Sequence, residues 1–290
     1  MHTRHTRMKS YAEALDAFMK RTNESEVLSK KFGEVLRSWR PLAEGRIKRV
    51  LDVGCGPGDR TIEIYDLMRS LGNDVRLDGV EPSAKFRKMF SAKIGGRAIT
   101  LHGTDYEHFD CHDFDDEEEQ KYDLIIFSHS LYHMDFDVVC GALEQKRENG
   151  RILVAIESGA SQMHKMRRDF YPILSYDMIG YPVCGDDVMR QLHLLGVPYT
   201  TIRADGQIFD VTDAVYGDME TPEIRSLVQF MLHLIEPAWS RDFAYAREWI
   251  EKNAKTEIET DVERPSTQST LSIKVKRYYL EIGDDIIFTE

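Results

Sequence analysis

The sequence predicts an α/β fold built on a doubly wound sheet, and three observations support this prediction. First, residues 50–59 (VLDVGCGPGD) form an apolar strand pattern that runs directly into a glycine-rich turn. Second, the helical spacing of apolar residues returns immediately after the turn, over 61–68. Third, a second strand pattern follows at 77–81 and ends in an acidic residue. A strand that feeds a helix through a tight glycine turn is the first unit of a nucleotide-binding α/β fold.

Two helices are expected before this unit. Apolar residues recur at helical spacing from Tyr11 to about Trp39, and the polar string TNES interrupts them. Thr22 or Asn23 could cap the second helix. Because helices before the first strand commonly cover the ligand site in this fold, we expect residues 1–45 to form a lid.

Strands and helices then alternate through a core that we place at residues 46–160. Strands are expected at 50–54, 75–81, 98–102, 122–128 and 151–157, and helices at 59–71, 83–93 and 137–143. The fourth strand pattern is a continuous apolar run, which indicates a strand covered on both faces. In sheets of this kind, ligands bind at the carboxyl ends of the strands.

The second half, residues 161–290, is less regular. Helices are expected over 162–174, from Cys184 through Leu195 and over 221–252, and strands at 199–211 and 269–282. This arrangement predicts a helical insertion and C-terminal antiparallel strands that complete the sheet. The two ends of the chain, 1–9 and 283–290, are expected to be tails.

Composition excludes several classes of protein. The formal net charge is −12, and 42% of the residues are hydrophobic. This acidic balance argues against nucleic-acid and anionic-membrane partners, because phosphate groups bind basic surfaces. No apolar run approaches the ~20 residues that span a bilayer, and the four cysteines show no disulfide or zinc spacing. We therefore expect a cytoplasmic protein without nucleic-acid or membrane partners. A monomer is our default expectation, because the sequence leaves the oligomeric state open.

Metal binding is not indicated either. Residues 110–119 (DCHDFDDEEE) are strongly acidic, but a calcium loop would need ligands at alternating positions around a glycine, which this string lacks. We interpret the run as a solvated loop and expect no metal site.

The glycines of the first turn, Gly54, Gly56 and Gly58, are candidates for ligand binding. Glycine is needed where the backbone takes positive φ and where a ligand approaches so closely that a Cβ would collide. The G-x-G-x-G spacing differs from the G-x-G-x-x-G of dinucleotide binders, which disfavours an NAD-dependent dehydrogenase. Glu81 lies about 20 residues downstream, where a carboxylate accepts both ribose hydroxyls. The alternative is an ordinary α/β turn followed by an unrelated strand.

In these two motifs the sequence resembles the class I S-adenosylmethionine-dependent methyltransferases, whose first motif is similar to VLDVGCGPGD. The resemblance implies a Rossmann-like class I methyltransferase fold. It also implies S-adenosylmethionine as the cofactor and S-adenosylhomocysteine as the product. The implied cofactor-binding residues lie at the glycine turn and at later strand ends: Asp52, Gly54, Gly56, Gly58, Glu81, Pro82, Ser83, Asp105, Tyr106, Ser128 and His129. Tyr106 and Ser128 would flank the adenine.

Shorter strings resemble the histamine N-methyltransferase family. They occur in order over most of the chain: Phe18 with Glu24, VEPSA from Val80, Leu131-Tyr132, SGAS from Ser158, DDVMRQLHLLG from Asp186, and TLS from Thr270. This resemblance implies helices on the substrate side after residue 160. It also implies an N-methyltransferase that acts by in-line transfer on a small imidazole- or amine-bearing metabolite, similar to histamine or histidine.

The same resemblance implies four catalytic and substrate-binding residues. Glu24 falls on the family's carboxylate that contacts the substrate, and His129 falls on a glutamine that faces the imidazole. Tyr132 and His133 could complete the pocket wall. The alternatives are a first-turn acid at Glu24 that favours the helix dipole and a solvated histidine at the end of the fourth strand.

The chain departs from this family in the helix after the fifth strand. Where the family has a pair of tryptophans, this sequence has Met163 and Arg167. Since arginine forks onto carboxylates, one hypothesis is that Arg167 binds the acidic group of an amino-acid substrate. The other is that Arg167 faces solvent beside Arg168.

Other functions remain open from the sequence. A small-molecule O- or S-methyltransferase would keep the same cofactor motifs. A non-catalytic S-adenosylmethionine-binding protein would keep the fold as well, because function depends on the site and not on the fold.

Overall fold

The structure is a computed structural model that describes residues 10–109, 121–253, 255–259 and 268–282. The two predicted tails and the acidic run 110–119 lie outside the described residues.

Five parallel strands form the centre of the sheet. They are β1 (Arg49–Val53), β2 (Arg76–Val80), β3 (Ile99–His102), β4 (Tyr122–Ser128) and β5 (Lys146–Glu157). Three strands follow: β6 (Tyr199–Asp210), β7 (Lys255–Glu259) and β8 (Gln268–Ile282). The order across the sheet is β3-β2-β1-β4-β5-β8-β6, and β7 pairs antiparallel with β8. The order reverses at β1, and a reversal of this kind is where doubly wound sheets bind ligands.

Helices precede, connect and follow these strands. They are α1 (Tyr11–Met19), α2 (Glu24–Ser38), α3 (Arg40–Ala43), α4 (Asp59–Ser70), α5 (Ala84–Ile94), α6 (Asp137–Gln145), α7 (Gln162–Leu174), α8 (Gly185–Leu194), α9 (Thr212–Tyr216), α10 (Pro222–Leu232) and α11 (Ser240–Asn253). Short 3₁₀ turns occur at Tyr106–His108 and Leu131–His133. The two N-terminal helices and the alternating core elements lie close to their predicted bounds, so the parallel α/β sheet is confirmed.

Two predicted elements are wrong. Strand β5 begins at Lys146 and not at Arg151. Residues 146–150, for which the sequence suggests a turn, belong to the strand at a register irregularity in the ladder between β4 and β5. The predicted continuous helix over 221–252 is two helices, α10 and α11. His233 ends α10 with a left-handed backbone (φ +60°), which an α-helix cannot continue.

The chain forms two compact units, and neither is a single stretch of sequence. One unit consists of Leu28–Ile156, Gly185–Arg203 and Tyr278–Glu290, and it contains the glycine turn. The other consists of Met1–Val27, Glu157–Cys184 and Ala204–Arg277. Helix α1 belongs to the same unit as the C-terminal helices α9, α10 and α11. The three consecutive segments that the sequence suggests stay a prediction.

In the unit that contains α1, aromatic packing attaches this helix to later parts of the chain. The Phe18 ring stacks on Phe230 of α10 at 4.4 Å between centroids and contacts Phe209 of β6 edge-on at 4.8 Å. Phe18 and Phe209 are buried in a cluster that also contains residues of α7, α9 and α11. Burial of an aromatic side chain of this size stabilises the fold by about 1.5–3 kcal/mol.

Candidate functional site

The turn between β1 and α4 has the backbone that the glycine pattern predicts. Gly54, Gly56 and Gly58 have φ values of +72°, +56° and +84°. The amides of Gly54 and Cys55 both donate to the carbonyl of Val80, at 2.8 and 3.2 Å, so the turn is fixed to the end of β2. Residues that carry a Cβ rarely adopt such φ values.

The three glycines meet different surroundings. A Cβ built on Gly58 would lie 2.1 Å from the Phe90 ring, and one on Gly54 would lie 2.5 Å from Ser130 Cβ. A Cβ on Gly56 would meet nothing within 4 Å. Gly54 and Gly58 are therefore required by packing, whereas Gly56 leaves an open approach to the turn, as a bound ligand needs.

Glu81 follows β2 and lies against the same turn. Its carboxylate accepts hydrogen bonds from the Gly56 amide at 3.0 Å and from the Ser83 amide at 2.8 Å. Burial raises the pKa of Glu81, and these backbone hydrogen bonds partly offset the rise. The carboxylate therefore reaches from the end of β2 to the middle glycine. This is the position from which an acid can accept ribose hydroxyls.

Pro82 and Ser83 connect Glu81 to α5. The Ser83 side chain caps α5 by accepting a hydrogen bond from the Phe86 amide. Arg87 donates to the carbonyls of Glu81 and Pro82, at 2.7 Å in both cases. These contacts hold the backbone around the Glu81 carboxylate, which is a supporting role for the two residues that the resemblance places at the cofactor.

Asp52 lies two residues before the first glycine and is fully buried. Its Oδ2 accepts a hydrogen bond of 2.6 Å from the Thr61 hydroxyl in the first turn of α4. Burial raises the pKa of Asp52 to about 6, and the charge of Glu81 adds to the rise. Asp52 Oδ1 has no hydrogen-bond partner among the described residues.

The predicted adenine-side residues lie at the ends of β3 and β4. Tyr106 is buried, its ring contacts Phe127 edge-on at 5.9 Å, and its hydroxyl donates to Gln145 at 2.9 Å. Asp105 and Ser128 are half-buried, at the start of the 3₁₀ turn and at the last position of β4. All three belong to the unit that contains the glycine turn.

His129 directly follows β4 and has an unusual backbone. Its φ is +58°, and its amide donates to the Ala155 carbonyl at 3.0 Å. The His129 Nδ1 lies 3.2 Å from the Tyr132 hydroxyl, and the two rings are almost parallel with centroids 6.1 Å apart. A non-glycine residue in this conformation often marks a functional position. The side chain of His133 lies outside the described residues.

Glu24 is the first residue of α2 and belongs to the other unit. Its side chain is only 5% exposed and lies in the first turn of α2, which is also the position that the helix-dipole alternative requires. The segment before it is bound to β6. The Thr22 hydroxyl donates to the Ile208 carbonyl at 3.0 Å, and the Ile208 amide donates to Asn23 Oδ1 at 2.9 Å. These bonds fix the position of the buried carboxylate within its unit.

Arg167 requires a correction. The residue is 6% exposed, so it does not face solvent. All three nitrogens of its guanidinium are engaged: Nη1 donates to Glu157 at 3.0 Å, and Nε and Nη2 donate to the carbonyls of Met231 and Phe230 at 3.0 and 3.1 Å. The guanidinium thus caps carbonyls at the C-terminal end of α10. The hypothesis that Arg167 binds a substrate carboxylate is therefore not supported.

Sequence reasoning missed two residues that pack at the glycine turn. Thr61 binds Asp52, and Ser130 packs against Gly54 with 2% of its surface exposed. Thr61 could have been found, since it lies in the first turn of the helix that follows the glycines. Ser130 carries no sequence signal, because only the packing of β4 against β1 brings it to the turn.

One group of described residues could offer three ligand atoms to a metal. Asp105, Glu107 and His108 place these atoms within 4.8 Å of one another, but Glu107 and His108 are exposed. Exposed acidic groups of this kind are common without a metal, and the expectation of a metal-free site stays a prediction.

The residues at the turn fit an S-adenosyl ligand. Gly56 gives an open approach, Glu81 gives a carboxylate at the end of β2, and Asp52 gives a buried oxygen that no described side chain or amide binds. A ligand with hydroxyl groups and a positive charge matches these acceptors.

Comparison with known families identifies the class of protein. A family model described as a methyltransferase domain matches residues 4–169. This match covers more than half of the chain, so the chain belongs to the methyltransferase-domain family. It is an S-adenosylmethionine-dependent methyltransferase, as the motifs predict. Among the curated proteins compared, none matches.

Several solved structures are similar to this chain. The YcgJ protein from Bacillus subtilis is similar with a TM-score of 0.50 and 13% identity, over 84% of this chain and 97% of that chain. The plantazolicin methyltransferase BpumL in complex with SAH has a TM-score of 0.47 and 11% identity, over 89% and 83%. The precorrin-6y C5,15-methyltransferase from Geobacter metallireducens has a TM-score of 0.43 and 11% identity, over 88% of each chain.

The family match and the similarity to the YcgJ protein support the Rossmann-like class I fold, whereas the finer resemblance to the histamine N-methyltransferases stays a prediction. Within the described ranges, no helix is long and apolar enough to cross a membrane. The proteins compared do not identify the methyl acceptor.

Proposed function

We propose that this methyltransferase transfers a methyl group to a nitrogen of a small imidazole- or amine-bearing metabolite. The observation that carries the proposal is the His129–Tyr132 pair, with Nδ1 and the hydroxyl 3.2 Å apart. Ser130, the residue that follows His129 in the chain, packs directly on Gly54 of the cofactor turn. A histidine side chain at this strand end can accept a proton or orient a nitrogen near neutral pH.

The mechanism requires alignment more than activation. S-adenosylmethionine supplies an activated methyl group on its sulfonium. Holding the acceptor nitrogen in line with the methyl group and the sulfur can then lower the activation barrier by ~7–11 kcal/mol. We propose that His129 orients the attacking nitrogen or removes its proton, and that Tyr132 fixes the ring of His129. A neutral imidazole, with a pKa of about 6.5, has a free lone pair at physiological pH, whereas an alkylamine near 10 needs a base.

Glu24 is proposed as the group that binds the basic part of the acceptor. Glu24 is 5% exposed, and the backbone before it is fixed by the hydrogen bonds that Thr22 and Asn23 make with β6. A carboxylate attracts a cationic group, and the ammonium or imidazolium of a basic substrate is such a group.

The correction at Arg167 bears on the acceptor. Its guanidinium is occupied by Glu157 and two carbonyls, so the argument for an acidic group on the substrate no longer applies. We therefore propose a histamine-like rather than a histidine-like acceptor, and a monomeric, cytoplasmic enzyme with a small-molecule partner.

Turnover of histamine and histidine by the purified chain tests this proposal. We expect methylated histamine by mass spectrometry, with a kcat/KM at least tenfold above that for histidine. His129→Asn should lower kcat and keep the fold, because asparagine tolerates positive φ. Glu24→Gln should mainly raise KM. A preference for histidine, or an unchanged rate in both variants, contradicts the proposal.

A wider panel separates the remaining functions. Methylation only of hydroxyl or thiol compounds would establish an O- or S-methyltransferase. Binding of S-adenosylmethionine without turnover on any member of the panel would indicate a non-catalytic binding protein.

A further inference from the structure

Arg21 lies in the connector between α1 and α2, residues 20–23, and its side chain is only 14% exposed. Its Nε and Nη2 donate to Asp213 of α9 at 3.1 and 2.8 Å. Its Nη1 donates to Glu223 of α10 at 3.0 Å and to the Ala17 carbonyl at 2.9 Å. All three nitrogens of the guanidinium are therefore engaged, and the side chain joins the end of α1 to α9 and α10.

The main chain of the same connector is bonded to β6. The Arg21 carbonyl accepts a hydrogen bond of 2.9 Å from the Asp210 amide, and Thr22 forms an antiparallel bridge with Phe209. The amide of Glu24 in turn donates to the Thr22 hydroxyl at 3.2 Å. Although its polar sequence is typical of a loop, the connector is a segment whose side chains and main chain are both held.

The neighbouring Lys20 carries the same charge but is held differently. Its side chain is 56% exposed, and its ammonium lies 2.8 Å from Asp16 and 3.9 Å from Glu223. Ion pairs between exposed side chains contribute little to stability, whereas a guanidinium of low exposure that donates several charge-assisted hydrogen bonds is held firmly. Of these two adjacent cations, Arg21 is therefore the one that fixes the connector.

We propose that Arg21 is a positioning residue for the methyl acceptor. Glu24 begins α2 three residues after Arg21, and the bonds of the guanidinium to Asp213 and Glu223 set the place from which its carboxylate meets the acceptor. Arg21 acts through Glu24 and contacts neither the acceptor nor the cofactor. The inference rests on the proposed function of Glu24, and it adds a residue that controls the affinity for the acceptor.

Steady-state kinetics with histamine and S-adenosylmethionine test the proposal. We expect Arg21→Met to raise KM for histamine about tenfold, because even a small displacement of a binding group is costly. The kcat should stay within about twofold, as for the loss of a binding interaction. Arg21→Lys should recover only part of the effect, since an ammonium cannot fork onto two acids. Lys20→Met is the matched control and should change neither constant.

Two further variants separate positioning from general stability. If Arg21 acts through Glu24, Arg21→Met should not raise KM further in a chain that already carries Glu24→Gln. Asp213→Asn weakens the hold on the guanidinium at a half-exposed site, so it should also raise KM, and it serves as the test if Arg21→Met does not fold. Calorimetry should show an unchanged affinity for S-adenosylhomocysteine, because Arg21 and the glycine turn belong to different units.

The outcomes that overturn the inference are distinct. An unchanged KM in Arg21→Met and Asp213→Asn would mean that the connector does not set the affinity for the acceptor. Additive effects with Glu24→Gln, or a parallel loss of affinity for S-adenosylhomocysteine, would mean that Arg21 only stabilises the fold. No methylation of histamine by the unsubstituted chain would overturn the proposed function itself, and the inference with it.

Discussion

The hydroxyl of Thr61 donates a 2.6 Å hydrogen bond to Oδ2 of Asp52, and both side chains are buried beneath the glycine turn. The bond joins the first turn of α4 to the end of β1. It also fixes the orientation of the carboxylate, whose Oδ1 has no hydrogen-bond partner among the described residues. One hydroxyl does not replace the water lost on burial, and the pKa of Asp52 is therefore raised to about 6.

Cofactor affinity should depend on pH through Asp52. The ionised carboxylate attracts the cationic cofactor, and protonation below about pH 6 removes that attraction. We expect the affinity for S-adenosylmethionine to be constant above pH 7 and to fall by up to about tenfold per pH unit below pH 6. Calorimetric titration between pH 5.0 and 8.0 measures this dependence. The Asp52→Asn variant should bind the cofactor more weakly and lose most of the pH dependence. An unchanged pH dependence in this variant would contradict a role of Asp52 in cofactor binding.

Loss of the Thr61 hydroxyl should destabilise the fold most where Asp52 is ionised. The carboxyl pKa is higher in the folded state than its ordinary 3.8, so ionisation of Asp52 lowers the free energy of unfolding as pH rises from about 4 to 6. Thr61→Val removes the hydrogen bond that stabilises the ionised form. We expect the free energy of unfolding to fall by about 1–3 kcal/mol at pH 7.5 and by less at pH 5.0.

Urea denaturation at the two pH values measures the effect of Thr61→Val. Thr61→Ser is the matched control, since it keeps the hydroxyl and should retain the pH dependence. Equal losses at pH 5.0 and 7.5 would show that the methyl and hydroxyl packing of Thr61 matters, and not its bond to Asp52.

Substitutions of Gly56 and Gly58 should separate ligand binding from folding. Gly58→Ala would place a methyl group against the Phe90 ring at φ +84°, and we expect a stability loss above about 2 kcal/mol. Gly56→Ala meets open space, so its cost is only the backbone strain of about 1–2 kcal/mol. Gly56→Ala should nevertheless weaken S-adenosylmethionine binding at least tenfold. Thermal denaturation and calorimetry distinguish the two outcomes, and normal cofactor binding by Gly56→Ala would place the ligand elsewhere.

Removal of Arg167 should affect stability and not substrate preference. Arg167→Met leaves the Glu157 carboxylate buried without its guanidinium, a change that costs about 3–5 kcal/mol. The double variant with Glu157→Gln should recover part of this loss. The ratio of kcat/KM for histamine and histidine should be the same in the double variant as in the unsubstituted chain. A selective loss of histidine turnover would instead support the hypothesis that Arg167 binds a substrate carboxylate.

Local patterns were sufficient for the cofactor motifs. The turn at Gly54–Gly58 and the acid at Glu81 are each encoded in a few consecutive residues, because positive φ demands glycine and a parallel strand ends at a predictable position. The break after α10 was not predicted. Apolar spacing continues across it, but Pro237 lies within the break and is a sequence signal for the end of a helix. The structure places the turn at the left-handed backbone of His233, next to the bridge between Met178 and Leu234.

The sequence by itself determined the class of this protein, since the glycine spacing and the acid that follows β2 are features of neighbouring residues. Tertiary structure decided what the isolated side chains do. Arg167 is an internal ion-pair partner, Glu24 is a buried carboxylate, and Ser130 borders the cofactor turn. Each of these roles depends on residues far away in the chain, whose approach is set by the packing of whole strands and helices and not by any local pattern.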